Sequence, residues 1–387
     1  MQPDHEHFSY YNNHDGRDFL HIYRLRTGGL GDVENKTNQK RTMEYPQVTL
    51  LIAAYNERDI LMEKVRNCYA LNYPADQLDI VVVTDGSNDG SEDVLFDLPL
   101  VRVFHLPIRE GKLAAVNRAM DRVFSPIVVL TDANCLLNRE ALQNIVRHYE
   151  DPKVGAVSGA KHVVAIGNSS GKGEGLYWKY ESFLKKLDSE LNTVVGAAGE
   201  LFSFRRELFR KLPSDTIIED FVMSMEIAAS GFRVIYEPNA IAEEQPSSNL
   251  GEEWKRKVRI CAGGFQAINI FSFLLKPRQF TLLSFQFISH RLLRWAVAPF
   301  LLPLIFILSG VQAYYGIIIF QYFFLVQAVG YALAFLGLFY TDQDQLPKAI
   351  SIPYQFVMMN AAAYVGLLRY WRGSQSSIWE KAKRQTI

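Results

Sequence analysis

Three apolar runs in this chain end in carboxylates. Val81-Val82-Val83-Thr84 ends in Asp85, Ile127–Thr131 ends in Asp132, and Ile217-Ile218 precedes Glu219-Asp220. Apolar runs bounded by turn residues read as strands covered on both faces, as in a parallel sheet. In open α/β sheets the ligand lies in the crevice at the carboxyl ends of such strands. A carboxylate there can hold a divalent cation, grip a nucleotide or take a proton. Between them, Arg109-Glu110-Gly111-Lys112 opens a helical pattern. An ammonium beside free helix N–H groups suits a diphosphate. In Thr131-Asp132-Ala133-Asn134 a carboxylate and an amide two residues apart can aim two oxygens at one hard cation, with a diphosphate completing the octahedron. In Ala54-Tyr55-Asn56-Glu57, Asn56 is placed to cap the next helix and Tyr55 offers a stacking face for a base. Asp85-Gly86-Ser87-Asn88-Asp89-Gly90-Ser91, taken alone, is a turn. Together these residues point to an enzyme acting on a phosphorylated nucleotide ligand.

The elements that must position them alternate. Strand patterns cover Val48–Ala54, Ile80–Thr84, Val101–His105 and Ile127–Thr131; helical patterns cover Glu57–Leu71, Lys112–Phe124 and Arg139–Tyr149. Such alternation predicts parallel βαβ units. Beyond them, Gly155–Ala160 reads as a strand, Leu176–Leu191 as a helix and Val194–Phe204 as a Gly-interrupted strand. Phe221–Ser230 reads as a helix stopped by Gly231, and Arg233–Tyr236 as a last short strand. The expected fold class is α/β, a mostly parallel sheet flanked by helices over residues 46–249, followed by interfacial and transmembrane helices.

Lys+Arg and Asp+Glu balance at 41 each in 387 residues, so the basic footprint of a nucleic-acid binder is missing. The three cysteines (Cys68, Cys135, Cys261) lie far apart, against a disulfide scaffold or structural zinc site. From Trp295 to Thr341, and again from Ala349 to Leu368, there is no charged residue. One span needs roughly 20 apolar residues, so 295–370 predicts two to three, with a tight turn near Ser309-Gly310. Residues 250–294 mix Lys255, Arg256, Lys257, Arg259, Lys276, Arg278, Arg291 and Arg294 with aromatic and aliphatic side chains, as suits helices in the lipid headgroup region. Residues 1–45 read as a polar, disordered tail without a signal peptide. Residues 371–387 form a basic tail, which the positive-inside rule places in the cytoplasm. Three crossings from a cytoplasmic domain would leave that tail outside. Either 349–368 does not fully cross, or part of 267–294 does.

Taken in order, AAYNE, DGSNDG, GK with Asn117 five residues later, TDAN, GAAGELFSFRR, IIEDF and KRKVRI resemble family 2 glycosyltransferases. The likeness is to the membrane-embedded bacterial subgroup that includes cellulose, hyaluronan and poly-N-acetylglucosamine synthases. It covers residues 47 to about 266, and the segments from Ser289 to Trp295 and Ser377 to Glu380 also look like that subgroup. The resemblance implies a GT-A-like domain in which Ala54, Tyr55 and Glu57 line the nucleoside pocket. Asp85 would contact base and ribose, and Lys112 base and diphosphate. Asp132 would open the metal-binding DxD motif, with Asn134 in place of the second acid, holding Mg²⁺ or Mn²⁺. Asp220, beside Glu219, would be the base that deprotonates the acceptor. Gly199, Glu200, Arg256 and Arg259 would lie toward acceptor and diphosphate, and Ile260 stands where processive members carry Trp.

One base and no evident nucleophile imply a single displacement with inversion at the anomeric carbon. The expected activity is metal-dependent transfer from a nucleotide-sugar, of UDP type, to a growing polysaccharide or glycolipid. It would take place at the cytoplasmic face of the cell (inner) membrane of a bacterium, in a multi-pass protein. The missing Trp leaves open non-processive transfer to a polyprenyl-phosphate or other lipid acceptor. A third reading is a catalytically dead sugar-nucleotide-binding scaffold in the membrane; Asp132 and Asp220 are both in place against it.

Overall fold

The computed structural model describes residues 45–378, apart from 97, 164–170, 246–249, 278–280 and 341–345. All but Tyr45 of the polar tail expected at 1–45, together with Trp379, Glu380 and the last basic residues, lies outside the described residues.

Eight strands form one mixed sheet. They are β1 (Val48–Ala54), β2 (Leu78–Asp85), β3 (Val101–Leu106), β4 (Ile127–Asp132), β5 (Leu136–Leu137), β6 (Val154–Val163), β7 (Leu201–Arg205) and β8 (Arg233–Glu244). Their order is β3-β2-β1-β4-β7-β6-β8-β5. The four-stranded half from β3 to β4 is parallel, as the apolar runs predict. β7 enters antiparallel between β4 and β6, while β6 and β8 pair parallel. β1 pairs with both β2 and β4, Ala54 opposite Thr84 and Ala53 opposite Asp132. That register puts Asp85 and Asp132 at the same sheet edge, on either side of the end of β1.

Each face of the sheet is covered. Leu50, Ile52, Ile80 and Val82 pack with Leu61, Val65 and Cys68 of α1 (Arg58–Tyr69) and with Leu142 and Ile145 of α3 (Ala141–Val146). Leu51, Val81 and Val83 face the other way. They join Val116 and Ala119 of α2 (Lys112–Met120), Val222 and Met225 of α5 (Glu219–Ala229), and Val258 and Ala262 of α6 (Leu250–Ile270). Between β6 and β7 runs α4 (Gly171–Leu191). Burial on both faces explains why the strands carry no polar alternation.

Four sequence expectations are corrected. The strand expected over Val194–Phe204 begins only at Leu201. Residues 194–200 form turns instead, fixed by Ser224, which accepts from Ala197 N at 2.9 Å, and by Ser158, which accepts from Ala198 N. β8 extends to Glu244, well past the expected Tyr236, because Ala240 and Ala242 continue the buried alternation. Asn56 does not cap α1. Its φ is 53°, and its side chain pairs with Asn88, while Asp89 and Ser91 accept from the N–H groups of Arg58 and Glu57. The turn near Ser309-Gly310 lies instead at Gly316, with φ of 80°.

After α6, helix α7 (Leu282–Phe287) continues through a π-helical stretch, Ile288–Val297, into α8 (Ala298–Tyr314). α9 (Ile318–Gly337) folds back along α8, with Phe306 against Phe324 and Tyr331, and Gln327 donating to Ser309 at 2.9 Å. Leu282–Tyr314 and Ile318–Gly337 are long and apolar enough to cross a membrane, and only 17% and 6% of their most apolar windows are buried. Such exposure is costly in water and suits lipid. α10 (Lys348–Trp371) touches Gly337 through Tyr354, Pro299 and Phe300 through Tyr364, and Cys261 and Ala262 of α6 through Gly366. Among the described residues it is not one of the candidate spans.

Candidate active site

Ala54, Tyr55, Glu57, Asp85, Lys112, Asp132 and Asn134 line one open cleft at the carboxyl edge of the parallel half-sheet. Every donor-binding residue expected from sequence is therefore brought together. At one end of the cleft, the Arg109 guanidinium stacks over the Tyr55 ring, 3.7 Å from its centroid. Asp85 is buried and its oxygens are engaged. Oδ2 accepts from Glu110 N at 3.0 Å and Gly111 N at 2.6 Å, and Oδ1 from Arg118 Nη2 at 2.7 Å. It thus shapes the turn that launches α2. Gly111 caps that helix at φ 98°, a conformation that favours glycine, and a Cβ there would meet Ile378.

Lys112 connects β4 to the start of α5. Its Nζ lies 2.5 Å from Asp132 Oδ1 and 3.7 Å from Glu219 Oε1. Burial alone would lower its pKa, but the charges of Asp132 and Glu219 raise it above the ordinary lysine range. Lys112 is therefore a permanent cation where a diphosphate would sit. For Asp132, burial raises the carboxyl pKa, Lys112 opposes it, and Glu200 and Glu244 push the same way as burial.

β7 pairs Leu201 with Thr131, which sets Glu200 beside Asp132 across the ladder. Lys161 of β6 lies 2.5 Å from Glu200 and also pairs with Glu244 at the end of β8. Burial would raise the Glu200 pKa, but Lys161 pulls it down to about 2. Asn134 Nδ2 donates to Glu244 Oε1 at 3.2 Å. Lys161 and Glu244 escaped the sequence reading; the only signal for Glu244 is the apolar alternation leading to it.

Asp220 stands in the first turn of α5, two residues after Ile218 at the cap position. Burial and the neighbouring Glu219 push its pKa up to about 6, against the pull of Lys112. Gly199 lies alongside, and a Cβ there would come 3.2 Å from Asp220 Oδ2. Arg259 Nη2 donates to Ile217 O at 2.6 Å and lies 3.7 Å from Glu219, anchoring the entry to α5. Arg256, one turn earlier on α6, reaches Glu253 at 3.3 Å. Ile260 packs against the core, and Trp295 of the π-helical stretch sits edge-on to Phe221 at 5.3 Å, over Gly264.

The residues fit a divalent cation. Asp132 and Asn134 are oxygen donors on one turn, with Asn134 held by Glu244. Among the described residues no group of three or more His, Cys, Asp or Glu is arranged to hold a metal alone. A hard cation here would draw its other ligands from phosphate oxygens and water.

The family model described as Glycosyl transferase family 2 matches residues 49–213. Poly-beta-1,6-N-acetyl-D-glucosamine synthase of Staphylococcus aureus (strain MSSA476) is 26% identical over 258 residues, 64% of this chain and 62% of that protein. The protein of the same name from Staphylococcus epidermidis (strain RP62A) is 23% identical over 229 residues, 57% of this chain and 55% of that protein. These matches span less than two thirds of those relatives. Among solved structures, the mannosyltransferase PcManGT of Pyrobaculum calidifontis, in complex with GDP-Man and Mn²⁺, is similar with a TM-score of 0.64. At 23% identity, that likeness covers 94% of this chain and 96% of that one and shows a shared fold.

Proposed function

We propose that this chain, which matches the glycosyl transferase family 2 model over residues 49–213, transfers a sugar, with inversion, from a nucleotide-sugar donor to a saccharide acceptor at a membrane. The observation that carries this reading is one cleft in which Tyr55, Glu57, Lys112 and Asp132 meet, with Lys112 also reaching Glu219 and within charge range of Asp220. Tyr55 presents the face on which a base stacks once Arg109 moves aside. Lys112 offsets charge on the diphosphate, and Arg259 adds a second cation on the acceptor side. Asp220, with its pKa near neutrality, accepts the acceptor hydroxyl proton as the new bond forms. A divalent cation, Mg²⁺ or Mn²⁺, held by Asp132 and Asn134 would supply charge neutralisation to the departing nucleoside diphosphate.

The relatives named as poly-beta-1,6-N-acetyl-D-glucosamine synthases support a UDP-linked amino sugar as donor and a growing polysaccharide as acceptor. The packed Ile260 favours a second reading, short transfer to a lipid-linked acceptor, because no aromatic ring stands there to stack on a saccharide. Purified protein in detergent, screened against nucleotide-sugars with Mg²⁺ or Mn²⁺, decides the first point by nucleotide release. Radiolabelled product decides the second: a ladder of long chains sinks the lipid-acceptor reading. Asp220→Asn is expected to lower turnover by 10²-fold or more while UDP still binds. Unchanged turnover would remove Asp220 as the base.

A further inference from the structure

The inner stripe of α1 reads Leu61, Lys64, Val65, Cys68, the i, i+3, i+4, i+7 spacing of a core-facing helix, and its second member is a lysine. Lys64 is fully buried, at 0% exposure. Its Nζ donates to Thr131 Oγ1 at 2.9 Å and to the Cys135 carbonyl at 2.5 Å. Those acceptors flank Asp132-Ala133-Asn134 on either side. One turn along α1, Asn67 exchanges two 2.8 Å bonds with the backbone N–H and carbonyl of Leu137. The cation-binding turn is thus fastened from beneath by α1, while Lys112 meets Asp132 from the cleft side.

Building on the proposed donor site, we infer that Lys64 is a positioning residue that presets the Asp132–Asn134 turn for a divalent cation bound with the nucleoside diphosphate. A methionine would fill the same space without removing an ammonium from water, so packing alone does not account for a lysine there. The turn has particular need of a fastener. Where two carboxylates would draw a cation in by charge, here one partner is a neutral amide, and its oxygen must already point correctly. Mg²⁺ in particular demands near-ideal octahedral placement of its oxygens. Partners that orient metal-binding groups commonly change metal affinity by about 10–100-fold when removed.

The test uses the full chain in detergent and compares wild type, Lys64→Met and Thr131→Val. Mn²⁺ binding is followed by electron paramagnetic resonance in the presence of UDP, UDP binding is measured without metal, and melting temperature is recorded. Lys64→Met is expected to weaken Mn²⁺ binding at least tenfold, with metal-free UDP binding and melting temperature retained. Mn²⁺ affinity within twofold of wild type in the folded variant overturns the inference. So does a loss of metal-free UDP binding as large as the loss of Mn²⁺. If Lys64→Met does not fold, Thr131→Val decides. It removes one acceptor and should weaken Mn²⁺ a few-fold at unchanged melting temperature; unchanged affinity overturns the role. A wild type that binds neither UDP nor Mn²⁺ overturns the donor-site reading itself.

Discussion

At the scale of single residues, the reacting end is governed by how three carboxylates share one lysine. Glu219 and Asp132 both lean on Lys112. Asp220 has no such direct partner and is left protonated more easily, up to about pH 6. As the proposed base, Asp220 must be ionised to accept a proton, so the sign is fixed: kcat/KM should rise as pH increases through about 6. Glu219 is one cause of the raised value, so Glu219→Gln should move that rising limb to lower pH. Removing the positive charge with Lys112→Met should move it to higher pH, since Lys112 lowers the Asp220 pKa. A pH–rate profile for each variant checks this. A limb that stays in place when Glu219 is neutralised would show that another group controls it. Asp85, Asp132 and Asp220 were legible in the sequence because each follows an apolar strand or turn. Lys161, Glu244 and Lys64 were not, because their partners lie on other strands or on the turn beneath which they pack.

At the scale of elements, the surroundings of Asp220 depend on a joint between three helices. Trp295, 6% exposed, rests on Gly264 of α6 and edge-on to Phe221, the residue after Asp220 in α5. Glycine at 264 is what lets the indole approach, since a Cβ there would lie 2.6 Å from the ring. Arg291 stacks against the same pair of rings and donates to the Val195 carbonyl, tying in the turns at 194–200. Trp295→Ala leaves a cavity at this joint and is expected to cost about 3–5 kcal/mol. Thermal unfolding in detergent should show a fall of more than about 5 °C, together with lower turnover as Phe221 relaxes. A melting temperature equal to wild type would mean the joint is not where α5 and α6 are held. The βαβ half was legible because buried parallel strands and amphipathic helices have distinct periods. The 194–200 turns were not, since Val194, Val195, Ala197 and Ala198 are as apolar as a strand and only Ser158 and Ser224 fix their path.

At the scale of the whole molecule, the contacts of α10 favour an even number of crossings. α9 ends at Gly337 and α8 begins at Ala298; α10 meets both near those ends and then packs on α6. After it, Ser377 donates to the Ser214 carbonyl at 2.8 Å, and Ile378 reaches Gly111 at the donor cleft. We propose two crossings, α8 and α9, with α10 at the surface and the tail on the side of the catalytic domain. Arg369 and Arg372 at its end agree with a cytoplasmic position. Reporters fused at the two termini should then read the same side of the membrane; opposite sides would mean that α10 crosses.

The sequence by itself determined the parallel half-sheet, the carboxylates at its edge, the Gly-Lys that opens α2 and the apolar C-terminal helices. Each is written in local periodicity or in a residue beside a strand end. Only the tertiary structure decided that Lys161 pairs with Glu200 and Glu244 beside the Asp132 turn, that Lys64 stands beneath that turn, and that residues 377–378 return to the cleft. Those contacts join residues 39 or more positions apart. No window of sequence records which charge will meet which across a folded sheet.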